Sequence, residues 1–254
     1  MTALSVYIGY DPREDEAYRV CRASLLRRSS RDLHITALDL GAVRHNGWYR
    51  RRWHESGNDR IDDLDGKPFS TEFSFSRFLV PALSLYQGWS LYCDCDFLFL
   101  ADVCELFHLA DHRYAVMCVQ HHHDPQEKIK MTGLTQTKYY RKNWSSLVLW
   151  NCAHPANRRL TTNHINTFPG SWLHSFQWLE DDEIGALPRT WNFLAGISAP
   201  LDHEHTPAGI HYTLGTPNLP GYENSPYADL WYAERDSRRA PGRPNPTERL
   251  RAIA

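Results

Sequence analysis

The sequence lacks long apolar runs, and it lacks an excess of charge of either sign. No run of about 18 apolar residues occurs, so we expect no membrane-spanning helix. The 28 basic and 30 acidic side chains nearly cancel. This balance argues against nucleic acid as a partner, because non-specific binders hold phosphates with a strong positive field. No basic segment followed by an apolar one opens the chain, so no signal peptide is expected.

Paired cysteines are also lacking. The six cysteines include no Cys-x-x-Cys pair, so neither a zinc ribbon nor a thioredoxin motif is indicated. Most of them stand in apolar runs, where a free cysteine behaves as a small hydrophobe. We therefore predict a cytoplasmic protein. Arginines at 50–52 and in the C-terminal segment would allow peripheral contact with anionic lipid at the inner face of the membrane.

What is present fits a globular domain. The 254 residues are 42% hydrophobic and 23% charged. We predict one domain over residues 1–234, followed by a basic, proline-containing and loosely ordered tail over 235–254. Nine tryptophans and thirteen tyrosines are a mild hint of a carbohydrate or nucleotide ligand, although most aromatic rings fill cores. The sequence does not indicate an oligomeric state.

Strand-like and helix-like segments alternate along the chain. Strands are predicted at 4–10, 33–40, 89–93, 115–119 and 146–150. A helix is predicted from about Thr71, and Pro81 should kink it or end its regular part. The polar, turn-rich segment 44–69 is predicted to be a surface excursion. This order predicts an α/β domain with a mostly parallel central sheet flanked by helices.

The end of the first strand is a candidate ligand position. Asp11, Pro12 and Glu14 match the N-cap, the first helical position and the reach-back position of a capping box. Ligands of open α/β sheets bind at the carboxyl ends of strands, so Tyr10 and Asp11 are well placed for one.

Two carboxylates, Asp94 and Asp96, interrupt the apolar segment 89–100. Burying them is costly unless they are paired or bind a cation. A spacing of two puts both on the same side of an extended chain. They could then grip one hard divalent ion that keeps open positions for a diphosphate and assists its departure as a Lewis acid. The alternative is a strand-end turn with two solvated aspartates.

Several segments, in this order, resemble the GT-A glycosyltransferases, and most closely the family 8-like retaining enzymes. They are the turn 7–11, the helix 75–81 with its aromatic-x-Arg pattern, the triplet Asp94-Cys95-Asp96, the turn and strand 143–151, the Leu-Pro…Trp-Asn segment 187–192 and the His-plus-Gly segment 211–215. Each motif is weak alone, and their order carries the resemblance over residues 5–222. It implies a single Rossmann-like GT-A domain.

The resemblance also implies ligands. Asp94, Asp96 and His211 would hold Mn²⁺ or Mg²⁺, and an imidazole beside two carboxylates suits Mn²⁺ better. The donor would be a nucleoside diphosphate sugar, with UDP as the expected nucleotide, and the acceptor a glycan or glycolipid. The implied donor-binding residues are Tyr10, Asp11, Arg77, Asp94, Asn143, Ser145, Asn151 and Gly215. Plain structural alternatives stand beside these roles: an N-cap for Asp11, a partly exposed helical side chain for Arg77, and satisfied turns for the Asn and Ser residues.

Two departures from the family pattern concern catalysis. No lysine follows His211 where the family binds the diphosphate, so Lys142, Arg141 or Lys130 would have to replace it. The family's Asp-Gln-Asp is reduced to Phe176-Gln177-Trp178, which leaves Gln177 as the candidate near the anomeric carbon. The acidic run 180–183 is either solvated surface or the source of a carboxylate, for which we name Asp182.

Two histidine clusters could suggest a second metal. We assign His121-His122-His123-Asp124 to the rim or the acceptor side of the site instead. We likewise predict no second metal at His203-Glu204-His205.

Two other functions stand as alternatives. A nucleotidyltransferase acting on sugar phosphates would need a Gly-rich, basic loop after the first strand, which Tyr10-Asp11-Pro12 lacks. A non-catalytic sugar-binding module would explain the aromatic residues but not the buried aspartate pair.

Overall fold

The computed structural model describes residues 3–57, 59–121, 141–201 and 206–239. Its strands are β1 (Leu4–Gly9), β2 (Leu33–Leu38), β3 (Trp53–Ser56), β4 (Asp59–Asp62), β5 (Pro68–Phe69), β6 (Trp89–Cys93), β7 (Phe97–Phe99), β8 (Val116–Cys118), β9 (Leu147–Asn151), β10 (Ile184–Ala186), β11 (Phe193–Leu194) and β12 (Gly209–His211). Its α-helices are α1 (Asp15–Arg28), α2 (Leu40–His45), α3 (Phe73–Ser76), α4 (Val80–Leu83), α5 (Cys104–His108), α6 (Thr162–Thr167), α7 (Gly170–His174) and α8 (Ala228–Arg239).

The main sheet has six strands in the order β10-β8-β9-β6-β1-β2. Three neighbouring pairs are parallel, and β9 runs antiparallel to both β6 and β8. Helices and short 3-10 turns connect the strands, and separate hydrophobic clusters pack around the sheet. The predicted α/β domain with a mostly parallel central sheet is confirmed. The direction of β9 affects the site. Because β9 is antiparallel to β6, its last residue, Asn151, lies beside Trp89 at the start of β6.

A second sheet, β11-β12-β7, lies beyond the end of β6. β12 runs antiparallel to β7, with His211 opposite Phe97 and Gly209 opposite Phe99. Helix α1 covers this region through its buried face, which includes Val20, Cys21 and Leu25. The chain segment between β6 and β7 is therefore enclosed on several sides.

The segment predicted as a surface excursion is partly structured. β3, β4 and β5 form a small antiparallel sheet, and Arg51 and Asp62 are buried in an ion pair there. The prediction of a solvated face over 44–69 was therefore wrong for these residues. The charge pattern misled because a paired Arg and Asp can be buried together, which sequence spacing does not reveal.

The predicted helix from about Thr71 is divided into α3, a 3-10 turn over Arg77–Leu79, and α4. Pro81 stands in the first turn of α4, where its missing N–H costs nothing, so the break at this proline was correctly expected. At the other end of the chain, α8 continues through Arg239, so the domain limit predicted after residue 234 falls inside a helix. Residues 240–254 of the predicted tail lie outside the described part.

The cysteines are all free and buried, as their apolar surroundings indicated. Among the described residues, no helix has both the length and the apolar character needed to cross a membrane.

Candidate metal and donor site

The site begins where β6 ends. After Cys93 the chain turns through Asp94-Cys95-Asp96 and continues as β7. The backbone N–H of Asp94 donates to Ser146, and Tyr212 donates to the carbonyl of Asp96, at 2.9 and 3.0 Å. The triplet is thus fixed between the main sheet and the second sheet.

His211 reaches the triplet through the pairing of β12 with β7. Its imidazole stacks on the ring of Phe97 with centroids 4.5 Å apart, and it is 2% exposed. One ligand atom from each of Asp94, Asp96 and His211 can be chosen such that all lie within 4.8 Å of one another. The structure therefore brings together the three residues predicted as metal ligands.

Asn192 fixes the orientation of this histidine. Its side-chain NH₂ group donates to Ser146 Oγ at 2.9 Å, which turns its Oδ1 towards His211 Nδ1 at 2.9 Å. Since a carbonyl oxygen only accepts, Nδ1 carries the hydrogen, and in the neutral ring Nε2 keeps its lone pair. A second partner that holds the far nitrogen is what metal-binding histidines usually have. Asn192 belongs to the Trp-Asn motif at 191–192, but no role was predicted for it.

The donor set fits a divalent cation. His211 Nε2 and Asp96 Oδ2 lie 3.3 Å apart. Two lone pairs at that distance repel each other unless a proton or a cation lies between them. Neighbouring ligands at right angles around an ion with bonds of about 2.1 Å would be about 3 Å apart. Two carboxylates and one imidazole are a ligand set that Mn²⁺ accepts readily and Mg²⁺ less so.

Arg77 compensates part of the negative charge. It is 6% exposed, and its Nη1 lies 3.0 Å from Asp94 Oδ1 and also donates to the carbonyl of Ser145 at 3.0 Å. Tyr92 donates to Asp94 at 2.6 Å. Burial raises the pKa of Asp94, while the Arg77 charge opposes that rise. Arg77 is therefore a buried partner of the triplet, not the partly exposed helical arginine of the alternative reading.

Glu14 lies next to the triplet, although no role in the site was predicted for it. Its Oε2 accepts a hydrogen bond from Cys95 Sγ at 2.9 Å. Burial, followed by the charge of Asp96, raises the pKa of Glu14 to about 7. Glu14 was predicted at the reach-back position of a capping box, whereas its carboxylate accepts from Cys95, a distant partner that left no sequence signal.

Asp11 has the predicted N-cap role, since it accepts from the backbone N–H of Arg13 at 3.0 Å. It also accepts from Arg60 Nη1 at 2.6 Å and from the backbone N–H of Glu72 at 3.1 Å, and it is 1% exposed. Asp11 thus joins the end of β1 to β4 and to the start of α3. The neighbouring Tyr10 is half-buried and donates to Asp15 at 3.3 Å. The nucleotide contacts of Tyr10 and Asp11 stay predictions.

The turn before β9 supplies the other wall. Asn143 has a left-handed backbone (φ 64°), and the 3-10 turn Trp144–Ser146 follows it. Ser145 is buried, and its Oγ lies 2.8 Å from His174 Nδ1. Burial lowers the pKa of His174 well below its ordinary value, with Arg77 and then Arg51 adding to the effect. His174 was not singled out from the sequence, and it lies beside the predicted residue Ser145.

Gly215 follows β12 in a turn. A hydrogen bond from the N–H of Gly215 to the carbonyl of Tyr212 closes this turn. Its φ is 153°, and a Cβ there would lie 2.8 Å from the ring of Tyr222. The position therefore requires glycine for packing. Its contact with the donor stays a prediction.

Two predicted residues are not brought to the site. Asn151 pairs with Trp89, at the opposite end of β6 from Cys93, because β9 is antiparallel. Its side chain donates to Tyr114 at 3.1 Å. Asp182 is exposed in the 3-10 turn Asp181–Glu183 that leads into the start of β10, so it also lies at the edge where the parallel strands begin. Their expected donor and catalytic roles are corrected accordingly.

The structure locates only some of the remaining predicted residues. Gln177 is exposed on the turn that follows α7, between the buried Phe176 and Trp178. Arg141 donates to Ser175 and pairs with Asp181, while Lys130 lies outside the described residues. Of the histidine clusters, only His121 is described, and burial lowers its pKa to about 4. Residues 122–124 and 203–205 lie outside the described part.

Comparisons with solved structures define the class of fold. The galactosyltransferase LgtC, in complex with donor and acceptor sugar analogs, is 14% identical, and the match covers 95% of this chain and 98% of LgtC with a TM-score of 0.60. The glycosyltransferase GlyE of Streptococcus pneumoniae TIGR4 is 17% identical over 92% of this chain, with a TM-score of 0.57. The match spans 60% of the length of GlyE. The chain therefore has the GT-A fold of these glycosyltransferases, as its motif order predicted.

A closer relative defines the family. Protein CDI of Arabidopsis thaliana is 49% identical over 233 residues, which cover 91% of this chain and 85% of that protein. The chain belongs to the family of Protein CDI. No protein-family model matches the chain.

Proposed function

We propose that this protein is a metal-dependent glycosyltransferase. It moves a sugar from a nucleoside diphosphate sugar, with UDP as the nucleotide, to a glycan or glycolipid acceptor, with retention of configuration. The observation that carries the proposal is the buried cluster of Asp94, Asp96 and His211 at the carboxyl end of β6. The GT-A fold supports the proposal, since open α/β sheets bind their ligands at the carboxyl ends of their strands.

Asp94, Asp96 and His211 would hold Mn²⁺ or Mg²⁺. When bound, such an ion neutralises the charge that develops on a leaving diphosphate. Asn192 keeps the lone pair of His211 Nε2 directed at the site, and Arg77 holds Asp94 in place. Phe97 and Tyr92 are buried next to the carboxylates, and they limit the access of water from that side.

The donor is proposed to lie along the edge formed by Tyr10, Asp11, Arg77 and the turn that carries Asn143 and Ser145. Gly215 would approach it from the turn after β12. The Tyr10 ring can stack on a base, because it is half-buried and keeps part of its surface exposed. Lys142 is our candidate for the diphosphate cation, because it directly precedes Asn143 in the turn that forms this edge.

Gln177 is proposed to stabilise the oxocarbenium-like transition state at the anomeric carbon. In a retaining reaction of this kind the acceptor hydroxyl enters on the face of the leaving phosphate, which can take its proton. The proximity of the turn that follows α7 supports this choice, since His174 in α7 contacts Ser145. For the cell we keep the proposal of a cytoplasmic protein, which the six buried thiols support.

A donor panel tests the proposal. Purified protein is incubated with UDP- and GDP-sugars and Mn²⁺, and released nucleoside diphosphate is measured with and without EDTA. We expect slow, metal-dependent release of UDP from one donor, and none from Asp96→Asn. Release of pyrophosphate from a nucleoside triphosphate and a sugar phosphate would instead indicate a nucleotidyltransferase. Sugar binding without turnover of any donor would contradict the enzymatic proposal.

A further inference from the structure

A second concave site lies outside the cluster of metal ligands, where the small sheet meets α2. It is an open surface pocket of about 510 Å³. It is lined by Arg44, residues 49–53 and Asp63. Pockets of about 300–1,000 Å³ are the size that small ligands and head groups occupy. None of the residues in this lining takes part in the proposed glycosyl transfer.

The lining is strongly basic. Arg44, Arg50 and Arg52 are exposed, and they reach the pocket from α2 and from the segment before β3. The described ion pairs of this region join Arg51 to Asp62 and His54 to Asp63. They involve neither Arg50 nor Arg52. Three outer guanidinium groups therefore face a single lining carboxylate.

The arginines are held in place by the fold. Arg51 is 3% exposed, donates to the carbonyl of Ile165 at 3.1 Å, and stacks on Phe75 with its guanidinium carbon 4.0 Å from the ring centre. Arg44 donates to the carbonyl of Arg51 at 3.1 Å. The backbone N–H of Arg50 donates to Asn166. The backbone is thus held on both sides of the buried Arg51, by Asn166 at Arg50 and by the N–H of Asp63 at Arg52. The exposed side chains of Arg50 and Arg52 extend from this fixed segment.

The chemistry of the lining suits a phosphate. The exposed arginines Arg44, Arg50 and Arg52 line one pocket. Guanidinium groups bind phosphate oxygens in pairs, through charge-assisted hydrogen bonds.

We infer that this Arg pocket, formed by Arg44, residues 49–53 and Asp63, binds a phosphate group. The phosphate belongs either to a soluble phosphate ester or to the head group of an anionic lipid, and both present the same oxygens to the arginines. The inference is independent of the proposed glycosyl transfer, because it uses none of the metal-site residues.

The test uses the full chain in EDTA, so that the proposed metal site does not contribute phosphate binding. Inorganic phosphate and glycerol phosphate are titrated by calorimetry. Sedimentation with phosphatidylcholine vesicles, with and without phosphatidic acid, is measured in parallel. The test variant is Arg50→Ser/Arg52→Ser. The control is Arg113→Ser/Arg158→Ser, which removes the same charge from exposed positions elsewhere: Arg113 pairs with Asp111 and Arg158 stacks on Tyr86.

We expect the test variant to bind phosphate about tenfold more weakly or worse, because it loses charge-assisted hydrogen bonds, while the control binds like the unmodified chain. Loss of binding to soluble phosphate assigns the pocket to a soluble ester. Loss that is confined to phosphatidic acid vesicles assigns it to a lipid head group. Absence of binding to every probe, or equal binding by the test and control variants, would overturn the inference.

Discussion

Two buried charged clusters in this protein are built in opposite ways. At Arg51–Asp62, the two carboxylate oxygens face one guanidinium, which also donates to carbonyls of Ile165 and Phe168. At Asp94–Asp96–His211, Arg77 pairs with Asp94, and Nε2 of His211 lies 3.3 Å from Oδ2 of Asp96. The first cluster is complete, because one guanidinium balances one carboxylate. The second is incomplete in charge among the described residues, since two carboxylates stand beside one guanidinium, and we propose that a cation balances it.

The comparison teaches how to separate a structural ion pair from a binding site. Burial alone does not distinguish them, since both clusters are removed from water. What differs is whether the charges and hydrogen-bonding groups are balanced by the protein itself. Variants of the two clusters should therefore differ in the quantity that they change: activity and metal binding for one, and stability for the other.

The largest effect is expected at the incomplete cluster. Asp96→Asn should lower the proposed transfer activity about a thousandfold, because the transition-state charge loses its metal-based stabilisation. Its thermal stability in EDTA should change little or increase, since one of two repelling carboxylates is removed. Activity is measured by UDP release and stability by thermal denaturation. Asp182→Asn, the same change at an exposed position, is the control. Equal activity of the two variants would refute the assignment.

A variant of the complete cluster, Arg51–Asp62, should change the stability of the protein. Arg51→Met leaves Asp62 buried without its partner and should lower the free energy of unfolding by about 3 kcal/mol. Mn²⁺ affinity of the folded variant should stay close to that of the unmodified chain. Urea denaturation and Mn²⁺ titration measure the two quantities. A loss of Mn²⁺ affinity without a loss of stability would reverse the comparison.

A smaller effect is expected from Asn192. Asn192→Ala removes the acceptor for His211 Nδ1 and should weaken Mn²⁺ binding by about tenfold to a hundredfold, the usual cost of losing such a partner. Asn192→Asp keeps an acceptor oxygen and should lose less. The two affinities are compared by calorimetry. If both variants bound Mn²⁺ like the unmodified chain, the orientation of His211 would not depend on this contact.

The smallest effect concerns Glu14, whose pKa in the folded chain is raised from 4.5 to about 7. A raised carboxyl pKa means that the folded chain binds more protons than the unfolded chain between these values. In the absence of metal, stability should therefore fall as the pH rises from 4.5 to about 7, and then level off. Glu14→Gln should reduce this slope, as measured by thermal denaturation across that range. An unchanged slope would show that Glu14 is not the titrating group.

Much of the site could be predicted from sequence, because its residues occur in motifs of fixed order. The strand end at Asp94 and Asp96 and the partner His211 were identified in this way. Asn151 and Asp182 were misplaced for a physical reason. The direction of β9 and the point where β10 begins depend on pairing between distant segments, which local patterns do not encode.

Other residues of the site were not predicted for the same reason, because their partners are distant in the sequence. Glu14 meets Cys95, His174 meets Ser145, and Asn192 meets His211 only in the folded chain. Asn192 had a usable signal, since it belongs to the Trp-Asn pair that contributed to the resemblance. The Arg51–Asp62 pair could not be distinguished from solvated charges, because its burial depends on Phe75 and on carbonyls more than one hundred residues away.

The metal site proposed at Asp94, Asp96 and His211 can be tested by titration of Mn²⁺ followed by electron paramagnetic resonance. The titration compares the unmodified chain with Asp96→Asn and with the control Asp182→Asn. We expect the unmodified chain and the control to bind Mn²⁺ alike, and Asp96→Asn to bind it far more weakly while remaining folded. Equal Mn²⁺ binding by all three proteins would contradict the proposed site.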